Sequence, residues 1–208
     1  MKFDKFNGLT IVKFFCYIVG KVLAACACVY AVWFCLFCAF NTVNANVVIK
    51  DVFTKRTSII FEPEENQEKE LISKICTKEY INSSGLLTED FNSAYVINAY
   101  QQRTDVPYMI ILPWEKTRKY TVTNKISDVS IAYSEKSTGY DAEPYFPTGI
   151  FEVTVIKGNE KDWYVSSIVL KEQIETEYKL PEREVTEEES DVIEVITEEP
   201  IEEAEEDL

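Results

Sequence analysis

Apolar residues follow three different spacings along this chain, and each spacing predicts a different kind of element. The first is an unbroken run. Val22 to Phe40 reads VLAACACVYAVWFCLFCAF, nineteen residues without a charge. At 1.5 Å per residue, about 20 residues cross a hydrocarbon core near 30 Å, so a transmembrane helix is expected over residues 22–40. Residues 1–21 form a stub and lead-in: Leu9 to Gly20 is apolar but contains Lys13, and Lys21 sits at the junction. Such lysines are expected to reach back to the headgroups. Asn41, Asn44 and Asn46 mark the expected exit from the membrane.

The second spacing is helical. Pro63, flanked by Glu62, Glu64 and Glu65, suits a first helical turn, where proline is tolerated and carboxylates favour the positive end of the helix dipole. Leu71, Ile72, Ile75, Cys76 and Tyr80 then recur on one face, and Asn82 to Gly85 end the helix. Thr88 is a plausible cap for another helix, in which Phe91, Tyr95 and Ala99 follow at intervals of four, to about Arg103. Tyr108 to Leu112, bracketed by Pro107 and Pro113, suits an edge strand or extended segment.

From Lys119 the period is two. Tyr120 and Val122, then Val129, Ile131 and Tyr133, then Phe151, Val153 and Val155 alternate with polar residues, as strands with one wet face do. Lys157 to Asp162 is a turn signal before Trp163 to Leu170, so the last two strands should form an antiparallel hairpin. Ser134 to Pro147 reads as a surface connection. The expected fold class is α+β: one transmembrane helix, an extracytoplasmic domain over residues 50–180 with helices packed on a curved antiparallel sheet, and a tail.

Charge isolates that tail. After Leu180 there are fourteen acidic residues against the single Arg183, so residues 181–208 carry −13 of the net −15. With Pro181, Pro200 and isolated Val192, Ile193, Val195, Ile196 and Ile201, the segment is expected to be disordered, either a solvated extension or a tether for a basic partner. The rest of the chain is near neutral and has no basic stripe, which argues against direct nucleic-acid binding. Lys2, Lys5, Lys13 and Lys21 precede the span against one Asp4, favouring a cytoplasmic N-terminus in a single-pass cell-membrane protein. Val43, Asn44 and Ala45 satisfy a small-residue cleavage rule, but the apolar run exceeds the 7–15 residues of a signal peptide. Leu23 to Cys26 imitates a lipobox, yet the chain stays hydrophobic for another dozen residues.

Candidate chemistry is sparse. The chain has no histidine, which removes nucleophilic triads, histidine-based general acid–base work and the commonest metal ligand. Its six glycines are too scattered for a phosphate-cradling loop. Five of six cysteines lie in or beside the hydrophobic run, leaving Cys76 alone in the domain, so neither a disulfide framework nor a zinc site is expected. No cofactor or catalytic residue is assigned. The candidate functional positions are in the membrane helix: Gly20, Ala24 and Cys28, and Ala27, Ala31 and Cys35, are small residues four apart that let helices approach closely, although any Ala- and Cys-rich span contains such triplets. Asn82-Ser83-Ser84 is a glycosylation sequon, relevant only in a eukaryotic setting.

The helices, the run ISDVSIAY and the hairpin IFEVTVIKGNEKDWYVSSIVLKE resemble the nuclear transport factor 2-like superfold over Glu62 to Glu172, whose last strands commonly carry such a Trp in a cone-shaped roll. Joined to a cytoplasmic stub and one span, the domain resembles the VirB-eight-like scaffold subunits of type IV secretion and conjugation machines. That resemblance implies a non-enzymatic domain outside the membrane that forms a homodimer and contacts other secretion-channel subunits; the acidic tail departs from the layout. The alternative is a membrane-tethered module whose cone binds a small hydrophobic ligand. An isomerase-like site using Asp105 or Asp128 with Tyr120 or Tyr133 is the third reading, weaker because fold alone licenses no function.

Overall fold

The computed structural model describes residues 8–62, 66–88, 91–137, 142–158 and 162–180. The acidic tail, the helix start at Pro63, the turn tip at residues 159–161 and Gly139 lie outside the described residues.

One helix, α1 (Gly8–Phe61), runs for 54 residues. It does not stop at Asn41, Asn44 and Asn46. Asn41 and Thr42 satisfy themselves along the helix instead: the Asn41 amide donates to the Phe37 carbonyl at 2.8 Å and the Thr42 hydroxyl to the Cys38 carbonyl at 2.8 Å. Nothing in 41–61 breaks a helix, and from Cys38 onward one side is apolar: Cys38, Ala45, Ile49, Val52, Phe53, Ile59, Ile60 and Phe61 are all buried. The structural core therefore begins on the helix well before Lys50.

Two short helices follow, α2 (Asn66–Ile75) and α3 (Lys78–Ser83), where the periodicity suggested one. They separate because Cys76 and Thr77 touch the sheet: Cys76 bridges Val165 and the Thr77 amide donates to the Val165 carbonyl at 2.9 Å. Thr77 then caps α3 by accepting from the Tyr80 amide at 3.3 Å. Gly85 takes a positive φ of 65° just beyond, where glycine costs least. Lys55 on α1 pairs with Asp51 at 3.1 Å and reaches Glu68 on α2 at 3.4 Å. Burial pulls the Lys55 pKa down, but hydrogen bonding and charge from these two carboxylates outweigh it and leave the ammonium raised.

The sheet is an antiparallel meander of β1 (Tyr95–Asp105), β2 (Thr117–Tyr133), β3 (Gly149–Lys157) and β4 (Trp163–Gln173), with β5 (Tyr178–Lys179) pairing parallel to β2. The helix expected from Thr88 to Arg103 is thus replaced by β1. Phe91, Tyr95 and Ala99 share a spacing of four by coincidence, and pairing with β2 from Tyr95↔Tyr133 to Asp105↔Thr123 overrides it. β2 is a single strand whose phase slips. Tyr120, Val122, Asn124 and Ile126 point inward, then Ile131 does, and between them a bulge holds Asp128 at φ 52°. Its first half pairs with β3 and its second with β1 and β5, which bends the sheet. The β3–β4 hairpin forms as expected, with Lys157 opposite Trp163.

The buried half of α1 lies on the inner face of this sheet. Phe53 meets Phe151 edge-on at 5.2 Å, and Tyr120, Val122, Val153, Val155, Trp163 and Val165 fill the space beneath. Buried Asn124 fastens helix, sheet and connection: it accepts from Gln102 at 2.9 Å and Thr104 at 2.8 Å, and donates to the Pro147 carbonyl at 2.6 Å. Gln102 also donates to the Phe53 carbonyl at 3.2 Å. The connection 142–148 is not wholly a surface segment. Pro144, Phe146, Pro147 and Thr148 are buried, held by Asn92, which donates to the Tyr145 carbonyl at 3.1 Å and accepts its amide at 2.8 Å.

Candidate functional site

The end of the body from which the bare helix emerges concentrates the unusual features. α1 is exposed along residues 12–33 and becomes covered from Phe34 onward. It is long and apolar enough to cross a membrane. Where cover begins, three polar side chains work together. Lys157, at the end of β3, donates to Asn41 Oδ1 at 3.1 Å, and its ammonium lies 5.1 Å from the Phe37 ring centroid and 5.8 Å from that of Trp163. Thr42 accepts the amide of Ile111 at 3.0 Å, both residues being fully buried.

Ile111 belongs to the β1–β2 loop, residues 106–116, in which 108–112 form no strand, the Glu115 amide closes a turn on the Leu112 carbonyl at 3.0 Å, and the Lys157 amide of β3 donates to the Lys116 carbonyl at 2.8 Å. While Ile111 points into the core, Tyr108, Ile110 and Trp114 point out, with 70%, 57% and 68% of their surface exposed. Trp114 rests on Phe34 of α1, ring centroids 6.1 Å apart. Glu115 pairs with Arg118 at 3.3 Å, and Lys116 is exposed beside them.

The small residues singled out in the helix, Gly20, Ala24, Ala27, Cys28, Ala31 and Cys35, are all exposed, and a Cβ built on Gly20 meets nothing within 4 Å. The series Gly20, Ala24, Ala27, Ala31 and Cys35 advances by three or four and continues through Cys38, Thr42, Ala45 and Ile49, which are buried. The small-residue face therefore lies on the same side as the body. Opposite it runs a second exposed row, Leu36, Phe40, Val43 and Val47.

The carboxylate and tyrosine candidates are not gathered. Asp105 bonds Arg103 at 3.1 Å at an exposed strand end. Asp128 lines a shallow groove of about 530 Å³ with Ile126, Glu175 and Tyr178, whereas Tyr120 is buried in the core and Tyr133 packs beside Tyr95 at 5.8 Å. Burial pushes the Tyr120 hydroxyl up against the opposing pull of Arg118. It also pushes the Cys76 thiol and the Tyr80 hydroxyl up to about 12 each. A thiol so held stays protonated and unreactive at neutral pH. Among the described residues no group of three or more Cys, Asp or Glu side chains converges as a metal site.

No family model, curated protein or solved structure matches the chain. Sequence reasoning missed Asn41, Thr42 and Lys157 as a cluster, because their meeting joins positions more than a hundred residues apart.

Proposed function

We propose that the chain is a non-enzymatic, single-pass membrane scaffold that holds its α+β body at a set height and angle over the bilayer and acts by self-association and contact with partner subunits. One observation carries the reading: the apolar segment and the core of the body share a single unbroken helix. A body joined through a flexible linker would swing freely; this one moves only with its helix. About 80 Å of continuous helix, at 1.5 Å per residue, serves position rather than catalysis. The inner face of the sheet supports the scaffold over the alternative of a small-ligand cone, because Phe53, Phe151, Tyr120 and Trp163 fill it. The finer reading, a subunit of a conjugative type IV secretion channel with its body outside the cell membrane, rests on the resemblance in layout: stub, apolar helix, then helices followed by an antiparallel sheet.

Cross-linking in cells tests both levels. With Cys16, Cys26, Cys28 and Cys35 changed to alanine, Val43→Cys reports on the outer row and Ala31→Cys on the small-residue face. Oxidative dimers at either position are expected. A chain that stays monomeric at both is no self-associating scaffold, and photo-cross-links that never capture an envelope or secretion subunit remove the finer reading.

A further inference from the structure

We infer that the β1–β2 loop is a second membrane contact, with Tyr108, Ile110 and Trp114 seated at the lipid headgroup boundary as a collar around the emerging helix. The inference rests on the membrane-scaffold reading and adds to it a binding surface whose partner is lipid.

Four observations converge. First, three large apolar side chains are exposed together in one short loop, while the residue between two of them, Ile111, is fully buried and fixes the loop through Thr42. The loop is thus held with its greasy side outward rather than left to fold it away. Second, the patch is continuous with the apolar helix, because Trp114 lies on Phe34. Third, the depth agrees. Phe34 is six residues before Phe40, the end of the uncharged run, hence about 9 Å below it at 1.5 Å per residue. Side chains that lie in the plane of a membrane interface are buried by about 5–10 Å. Fourth, the chemistry is interfacial. Tyr and Trp are favoured at headgroup level, exposed Lys116 suits phosphate oxygens, and a non-helical backbone outside a closed sheet is not tolerated in the hydrocarbon centre. A second copy of the chain is the competing occupant. It is disfavoured because the patch is continuous with the uncharged run: Trp114 rests on Phe34, which lies within that run and not beyond its end.

The test uses the full chain in lipid vesicles. Trp33→Phe removes the tryptophan in the apolar run, and the difference in emission between that variant and Trp33→Phe/Trp114→Phe belongs to Trp114. Both changed side chains are more than half exposed, so the fold is retained, as an unchanged melting curve verifies. The Trp114 signal should be quenched severalfold more by lipid brominated near the headgroup than by lipid brominated near the chain end, and be little affected by aqueous iodide. Quenching by iodide without quenching by lipid overturns the inference in favour of water. Protection from both overturns it in favour of a protein contact. Flotation separates the two levels: a chain that fails to float with alkaline-washed vesicles refutes the anchoring itself and the collar with it, whereas a floating chain with unquenched Trp114 refutes the collar alone.

Discussion

Replacing Thr42 by valine exchanges a hydroxyl for a methyl of nearly the same size and leaves the helix backbone intact. The hydroxyl has two partners: it donates to the Cys38 carbonyl at 2.8 Å and accepts the Ile111 amide at 3.0 Å. The Cys38 carbonyl loses little, since α1 continues through it and that oxygen keeps its place in the helix ladder. The Ile111 amide loses its acceptor in a site with no exposed surface on either residue. Leaving a buried donor unsatisfied costs about 1–3 kcal/mol. Because the bond ties the loop to α1, the loss should appear first as local opening, speeding exchange of the Ile111 amide by roughly 5- to 150-fold at about 1.4 kcal/mol per factor of ten. Global melting in micelles should fall by a few degrees per kcal/mol. Thr42→Ser is the control. It keeps the oxygen and removes one methyl, worth about 0.8 kcal/mol, so the Ile111 amide should stay protected. Hydrogen exchange resolved to peptides spanning 106–116 reads both variants. Equal protection in the valine variant and the parent, or a serine variant as labile as the valine one, would refute the claim that this hydroxyl fastens the loop.

Further measurements address the core and the ionisable groups. Phe53→Ala removes a ring packed edge-on against Phe151 at 5.2 Å and 1% exposed, and should cost about 3–5 kcal/mol, whereas exposed Phe40→Ala in micelles should stay within about 0.5 kcal/mol; melting curves in which the two are alike would contradict the assigned faces of α1. A Cβ on Gly149 would collide with the backbone oxygen of Glu172, beside a register shift of the β3–β4 pair, so Gly149→Ala should destabilise the hairpin by more than about 1 kcal/mol, and a variant with the parent melting temperature would exclude that close approach. Cys76 and Tyr80 hold their protons to about 12 when folded, against ordinary values of 9.0 and 10.0, so above about pH 9 the unfolded chain sheds protons that the folded one keeps. Stability should therefore fall with rising pH, by at most about 1.4 kcal/mol per pH unit for each group, and Cys76→Ala should remove the part of that slope that begins near pH 9. An alkaline melting series with identical slopes in parent and variant would show that the thiol is not the source.

Local signals carried much of this fold because their causes are local. An uncharged run of nineteen residues predicts a long apolar helix from solvation alone, whatever the rest of the chain does. Alternation in Phe151, Val153 and Val155, followed by a polar turn and Trp163, likewise specified the β3–β4 hairpin, since both strands and their link lie within about twenty residues. Tyr120 and Val122 read in the sequence as one alternation and Val129, Ile131 and Tyr133 as the next, and only the pairing with β1 shows that they belong to one strand with a bulge at Asp128.

What the tertiary structure decided involves partners distant in sequence. Tyr95–Asp105 became a strand because β2 offered it a ladder that outweighs an accidental helical spacing. Asn41, Asn44 and Asn46 read as the exit from a membrane segment, yet Lys157 bonds Asn41 and Ile111 bonds its neighbour Thr42, and the helix runs on into the core. The sequence alone determined which stretches must leave water. Which of them meet, and which side chains stay outside, was set by packing and by hydrogen bonds that buried polar groups such as Thr42, Asn92 and Asn124 make to distant partners, conditions that a one-dimensional pattern does not contain.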